Sequence, residues 1–326
     1  MSSYSDFRDQ RTAIPMPTQS FANQTIIVTG SNTGLGLEAA RHFVRLNAAK
    51  VILAVRSLKK GEAAKTSIEQ TTGRKNVVEV WQLDMSSYES IQSFAKKCGS
   101  LERIDALLAN AGVLRNTYEE VEGTEISIAV NVIGTFLLVL SLLPLLRKSR
   151  QTTRQTSRVT ITSSVLHKSA KFAERHEPSI FEALKKNNKA YIADRYSTSK
   201  LLEVFLVRSI AAAMAQGPHA AEPVIMNCVH PGLCHSELDN KVEGMAAYLL
   251  TLAKTMFART TEVGGRTLVF SAAAGPESNG QYMSECIVKE PSRFVSSKEG
   301  KEAQARVHEE LMEILEKIQP GITANI

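Results

Sequence analysis

Between Arg195 and Glu203 the chain reads Arg-Tyr-Ser-Thr-Ser-Lys-Leu-Leu-Glu. Tyr196 and Lys200 stand four apart, so on a helix they share a face one turn from each other. A phenol of ordinary acidity, with a pKa of ~10, is a poor acid and a worse base at neutral pH. An ammonium group one turn away stabilises the phenolate and turns the pair into a proton-transfer device. The same spacing also occurs on ordinary amphipathic helices, so its meaning depends on what the rest of the chain sets around this turn.

The elements that must position the pair can be read in order. Gln24 to Thr29 is a short β-branched run that stops at Gly30, and Leu37 to Leu46 has an amphipathic helical pattern. Between them lies Gly30-Ser31-Asn32-Thr33-Gly34-Leu35-Gly36. Strand, glycine turn and helix form a phosphate cradle: glycine lets backbone approach a pyrophosphate, and the helix N-terminus offers N–H groups and positive dipole. Tight packing alone can also call for such glycines.

Ala49 to Val55 reads as a second, buried strand. It is followed by Arg56, with Lys60 nearby, where a site for NAD would carry an acid. A guanidinium there suits the 2′-phosphate of NADP, although loops after strands are often basic.

Helix and strand patterns continue to alternate. Helices are expected at 57–70 and 86–98, and strands at 76–83, 104–109, 158–163, 222–229 and 280–284. This predicts an α/β chain with a doubly wound, Rossmann-type parallel sheet of about seven strands. Asp84 closes the third strand and Asn110-Ala111-Gly112 the fourth, at the strand ends where open α/β sheets bind ligands; all are turn residues as well. A long helical zone spans about 117–147. Within it Asn131 sits in an apolar run, as a water-holding kink or a functional relay. The fifth strand ends at Ser163-Ser164.

Two stretches depart from the alternation. Residues 165–195 are long and polar, and residues 237–260 carry Met245, Tyr248, Met256 and Phe257; both read as substrate-side insertions. Residues 1–20 are expected to be a flexible tail and 21–326 a single domain. The C-terminal 298–318 has an amphipathic helical pattern.

Composition narrows the function classes. With 43% hydrophobic and 22% charged residues the chain can bury a large core. Its net charge of +6 is spread among acids, without the basic block or aromatic-interleaved stripe of a nucleic-acid binder. Cys98, Cys228, Cys234 and Cys286 are far apart with no Cys-x-x-Cys, which points to reduced thiols rather than disulfides or a metal site. The apolar run Val132 to Leu146 is shorter than the ~20 residues of a spanning helix and reads as a buried core helix. The N-terminus lacks the apolar segment of a secretory signal, and a cytoplasmic location is expected.

Taken in order, Thr29-Gly30-x-x-x-Gly34-x-Gly36, Asp84, Asn110-Ala111-Gly112, Asn131, Ser164, Tyr196-x-x-x-Lys200 and Pro231-Gly232 resemble the short-chain dehydrogenase/reductase family over residues 24–290. The long insert before Tyr196 and the Gly280 to Ser284 ending look closest to retinol-dehydrogenase-like and fungal secondary-metabolite members. The family usually has Asn-Asn-Ala-Gly, where this chain has Ala109 in place of the first Asn. Its Pro-Gly-x-Val-x-Thr becomes Pro231-Gly232-Leu233-Cys234-His235-Ser236.

The resemblance implies an NADP(H)-dependent enzyme that interconverts a ketone or aldehyde and an alcohol on a medium-sized apolar substrate, with no metal. Tyr196 would exchange the proton and Ser164 would hydrogen-bond the same substrate oxygen. Lys200 would hold the nicotinamide ribose and favour the phenolate, and Asn131 would anchor a water linking Lys200 to solvent. Gly30, Asn32, Gly34, Leu35, Gly36, Arg56, Lys60, Asp84, Asn110, Ala111, Gly112, Gly232 and Ser236 would line the cofactor. Ser163, adjacent to Ser164 on a strand, should point the other way. Family members often pair through long helices, which implies a homodimer or homotetramer. Two other readings stand beside this one. One is a non-enzymatic NADP(H) sensor that keeps the fold; the other is a membrane-surface retinoid or lipid dehydrogenase using 237–260 as an apolar face.

Overall fold

The computed structural model describes residues 9–235, 238, 251, 254, 255 and 257–326. Strands β1 (Thr25–Thr29), β2 (Lys50–Val55), β3 (Val78–Gln82) and β4 (Ala106–Ala109) alternate with helices α1 (Gly34–Arg45), α2 (Leu58–Thr72) and α3 (Tyr88–Cys98). A two-stranded hairpin, β5 (Glu120–Val121) and β6 (Thr124–Glu125), precedes the long helix α4 (Thr135–Thr153). Then come β7 (Arg158–Thr162), α5 (Arg195–Gln216), β8 (Ile225–His230), α6 (Thr261–Ala273), β9 (Tyr282–Ser284), β10 (Ile287–Lys289) and α7 (Lys298–Ile318).

The main sheet has eight strands in the order β10-β9-β8-β7-β4-β1-β2-β3, parallel except for the edge pair β9–β10. The expected doubly wound sheet is therefore present, with one short antiparallel strand added at its edge. Parallel strands covered on both faces need apolar residues throughout, and β1 and β2 are buried along nearly their whole length. Alternation assigns the faces. Ile27, Leu107, Val159 and Ile161 pack into one core with α4 and α5, while Ile26, Val28, Leu53 and Leu108 pack into the other with α1 and α6.

Two stretches differ from the sequence expectation. The helical zone expected from 117 begins instead as the β5–β6 hairpin, because Glu122 and Gly123 both take positive φ, the backbone of a two-residue hairpin turn. The segment expected to be a flexible tail is, in its described part, docked. Gln10 Nε2 donates to the carbonyls of Leu233 (2.9 Å) and Phe257 (2.8 Å), and the Leu233 N–H donates to Gln10 Oε1 (2.8 Å). Asp9 pairs with Lys289 at 2.7 Å, and Ile14 is buried.

The run around Val132 to Leu146 lies in a continuous helical stretch, Ile126–Thr153. That stretch is long and apolar enough to cross a membrane, but its most apolar window is 94% buried inside the protein, as expected of a core helix.

Candidate active site

All the parallel strands end at the same edge, and the strand order reverses beside β1, which opens a crevice there. The glycine turn fills the β1 end of it. Gly30 and Gly34 have φ of +63° and +61°, a backbone that glycine adopts without strain. At Gly36 a Cβ would lie 2.5 Å from Asn110 Nδ2 and 2.7 Å from the Gly30 carbonyl, so no other residue fits.

The Asn110 amide donates to the carbonyls of Thr29 (3.1 Å) and Gly30 (3.3 Å), stitching the β4 end to the turn. The Thr29 hydroxyl accepts from the N–H groups of Asn110 (3.0 Å) and Ala111 (2.9 Å). Thr29 is thus a structural pin of the cradle beyond the predicted contacts, signalled only by a hydroxyl at the last position of a strand.

Helix α1 starts at Gly34 with no side chain capping its first N–H groups. Asn32 and Leu35 are half-buried on this turn. Arg56 is exposed directly after β2, whose Ala54 carbonyl accepts the Gly30 N–H at 2.9 Å, so its backbone lies next to the glycine turn. Lys60 is exposed in the first turn of α2, where the Ser57 hydroxyl caps its N–H. Asp84 follows β3 and accepts from the Ser86 N–H and hydroxyl. A strand end with tight glycine turns, free helix N–H groups and a neighbouring cation fits a dinucleotide with an anionic centre.

Around Tyr196 and Lys200, four elements converge. Asn131 lies in a π-helical turn, Ala129–Gly134, just before α4. Such turns break the regular hydrogen-bond ladder and frequently mark functional positions. Asn131 Oδ1 accepts from the Val113 N–H (2.8 Å), and its Nδ2 donates to the Val113 carbonyl (3.0 Å) and the Ser199 hydroxyl (3.0 Å). This joins the segment after β4 to α5. Gly112 leaves room for both: a Cβ there would lie 3.2 Å from Asn131 Oδ1 and 3.8 Å from Lys200 Nζ.

Lys200 is buried, with Nζ 5.6 Å from the centre of the Tyr196 ring. It donates to the Thr162 carbonyl at the end of β7 (2.9 Å) and to Glu203 Oε1 (2.7 Å). Burial is the largest influence and works against its charge, but Glu203, through its charge and hydrogen bond, together with Tyr196 and Cys228, holds the ammonium above its usual range. Burial pushes Glu203 up to about 7 in spite of its partner.

Ser163 and Ser164 face apart. The Ser163 hydroxyl donates inward to the Lys200 carbonyl (3.2 Å), whereas the half-buried Ser164 caps a short 3-10 turn, accepting from the Leu166 N–H (3.2 Å). His167 packs its ring on Tyr282 and accepts at Nε2 from the Ser292 N–H (3.0 Å), with Nδ1 2.7 Å from the Ser164 carbonyl. This histidine fixes the loop that presents Ser164.

Arg195, next to Tyr196, is fully buried and pairs with Glu174 at 2.7 Å and Glu125 at 3.9 Å. It ties the 165–195 stretch to the start of α5. Neither Arg195 nor Glu203 stands out in the sequence, where charges on a helix normally signal solvent.

Next to Ser164, at Val165, begins a cavity of about 190 Å³ that pairs apolar lining (Val165, Leu233, Phe257, Tyr282) with polar and charged lining (Asp9, Gln10, Lys168, His230, Ser284, Glu285, Lys289). Gly232 has φ of +88°, and a Cβ there would strike the Arg259 guanidinium at 2.6 Å. Ser236 and most of 237–260 lie outside the described residues.

A profile described as short chain dehydrogenase matches residues 24–173. The short chain dehydrogenase/reductase dmxR8 of Cryptosporiopsis sp. is 47% identical over 319 residues, which is 96% of this chain and 97% of that protein. The short chain dehydrogenase atnD of Emericella nidulans is 46% identical over 86% of this chain and 90% of its own length. Among solved structures, a putative short chain dehydrogenase from Escherichia coli complexed with NADPH superposes with a TM-score of 0.60. It is 23% identical over 82% of this chain and 99% of that one, a likeness of fold. Near-complete alignment at almost half identity settles the kinship: the chain belongs to the short-chain dehydrogenase/reductase family.

Proposed function

We propose that the protein is an NADP(H)-dependent oxidoreductase that interconverts a ketone or aldehyde and an alcohol on a medium-sized, largely apolar molecule, as a step in secondary-metabolite biosynthesis. One observation carries the reading. Lys200 is buried one turn from Tyr196 and anchored to the end of β7, beside the Asn131 and Gly112 that close the crevice. Kinship with fungal relatives supports the biosynthetic setting. Two further observations support the cofactor: Arg56 beside the glycine turn suits a 2′-phosphate, and a structural neighbour is described as complexed with NADPH.

The glycine turn, Asp84, Asn110-Ala111-Gly112 and Lys200 would hold the cofactor, and when bound its nicotinamide supplies or accepts the hydride. In reduction Tyr196 gives its phenolic proton to the substrate oxygen; in oxidation it takes the proton back. The Ser164 hydroxyl donates to that oxygen as negative charge develops there. Lys200 contributes a fixed positive charge that favours the phenolate. Asn131, held rigid by Val113 and Ser199, positions the polar end of the crevice through which the proton is replaced. In the cavity beside Ser164, Val165, Leu233, Phe257 and Tyr282 offer apolar contact, while Asp9, Lys168, Glu285 and Lys289 add charged groups to the lining, so the apolar body of a substrate would rest on the first set.

Tyr196→Phe tests the assignment. Turnover on a panel of ketones and aldehydes should fall by at least ~10³-fold with NADPH binding near normal, and a fully active variant refutes the role.

A further inference from the structure

Glu203 is the feature of the site that this reading leaves unused. It lies one turn after Lys200 on α5, is 2% exposed, and places Oε1 2.7 Å from Lys200 Nζ. Its other oxygen is buried close to the Ser163 hydroxyl, which lies near enough to favour the charged carboxylate and also donates to the Lys200 carbonyl at 3.2 Å. A buried ion pair is a poor way to stabilise a helix, because desolvation cancels most of the attraction and apolar residues of similar volume do as well or better. A pair kept at the centre of a site therefore calls for another reason. An ammonium group taken out of water loses its proton readily unless an anion faces it, and a neutral amine can neither favour a phenolate nor grip hydroxyl groups.

We propose that Glu203 is a positioning residue for the reaction: its carboxylate keeps Lys200 protonated while buried and, together with the Thr162 carbonyl, fixes two of its three N–H bonds so that the third points into the crevice. The inference rests on the function proposed above. The other ionisable groups acting on the pair are Tyr196 on the same helix and Cys228 on β8, with Arg208 acting on Cys228 in turn. Burial and the Glu203 charge both push the Cys228 thiol up, so it stays neutral and leaves Glu203 as the carboxylate, beside the Tyr196 phenol, that faces Lys200.

The test compares the wild type with Glu203→Gln, which keeps the shape and removes the charge, and Glu203→Asp, which keeps the charge at longer reach. NADPH affinity, read by nicotinamide fluorescence, and kcat/KM are measured from pH 6 to pH 9. Glu203→Gln should bind NADPH within about threefold of wild type at pH 6 and about tenfold more weakly at pH 9, with the alkaline limb of kcat/KM moved down by about one pH unit. Glu203→Asp should recover most of both.

A Glu203→Gln profile superimposable on wild type, or a loss equal at every pH, overturns the proposal and leaves Glu203 a packing residue. If Glu203→Gln does not accumulate, Glu203→Asp must by itself show a smaller downward shift, and no shift overturns the idea. Lys200→Met separates this inference from the reading beneath it. If Lys200→Met abolishes turnover and Glu203→Gln behaves as wild type, only the Glu203 proposal fails; if Lys200→Met is fully active, the function itself fails.

Discussion

The tie between Arg195 and Glu174 gives a prediction that can be worked through in energy. The Arg195 side chain is 1% exposed, the Glu174 side chain 3%, and their contact is a 2.7 Å hydrogen-bonded ion pair; Glu125 stands farther off at 3.9 Å. Glu174→Gln removes the close anion and leaves a buried guanidinium facing only Glu125. Breaking a buried pair from one side costs about 3–5 kcal/mol, because the remaining charge keeps its desolvation penalty. Unfolding entropy of about 2.1 cal/mol/K per residue gives a chain of this length about 0.7 kcal/mol/K, so the melting temperature should fall by about 4–7 °C. Arg195→Met should cost a similar amount by leaving two buried carboxylates together.

The double variant removes both members of the close pair and should be less damaging than the two single losses summed, by about 2 kcal/mol or more. Thermal unfolding of the four proteins at one pH closes the cycle. Strict additivity, or a Glu174→Gln loss below about 1 kcal/mol, would refute the claim that this pair is coupled and desolvated. Because Arg195 precedes Tyr196, the same variants should also raise KM for the carbonyl substrate before they affect NADPH binding.

Three further outcomes follow from the geometry. Gly36→Ala places a methyl against Asn110 Nδ2 and the Gly30 carbonyl, so NADPH affinity should drop at least about tenfold, measured by fluorescence titration, while far-ultraviolet circular dichroism is retained. Arg56→Glu should weaken NADPH by about tenfold or more and leave NADH within about threefold; equal losses for both would remove Arg56 from cofactor selection. Burial, helped by nearby cations, lowers the His230 pKa to about 3, so the folded protein keeps this imidazole neutral while the unfolded chain protonates it below ~6.5. Stability is therefore full above that pH and declines as pH falls, by at most about 1.4 kcal/mol per unit from this group, and His230→Leu should flatten the decline in melting temperature between pH 6 and pH 4.5.

Much of the site was legible because chemistry and backbone geometry coincide in its motifs. A glycine forced by positive φ, an asparagine at a strand end and a Tyr-Lys pair at helical spacing each leave a local mark in the residue string. What stayed hidden depends on long-range packing. Helix α5 is buried on most of its surface, so Arg195, Lys200 and Glu203 are interior charges although charge in a helix usually marks the solvent side. The π-turn at Asn131 interrupts an apolar run that reads as plain helix. The β5–β6 hairpin rests on two residues with positive φ, one of them Glu122, whose type gives no warning of it. The docking of Gln10 depends on carbonyls more than two hundred positions away.

That last contact has a bearing on how the molecule is made. Asp9 and Gln10 are synthesised more than two hundred residues before their partners, Leu233, Phe257 and Lys289. The central strands β1, β2 and β4 can pair long before that point, but the wall of the cavity formed by Asp9 and Gln10 cannot close until β10 exists. A growing chain thus holds its glycine turn well before it holds a closed cavity beside Ser164. Under the function proposed above, cofactor present during synthesis would stabilise the half that forms first, and a ribosome stalled before residue 289 should carry a nascent chain that engages nucleotide while the cavity beside Ser164 stays open.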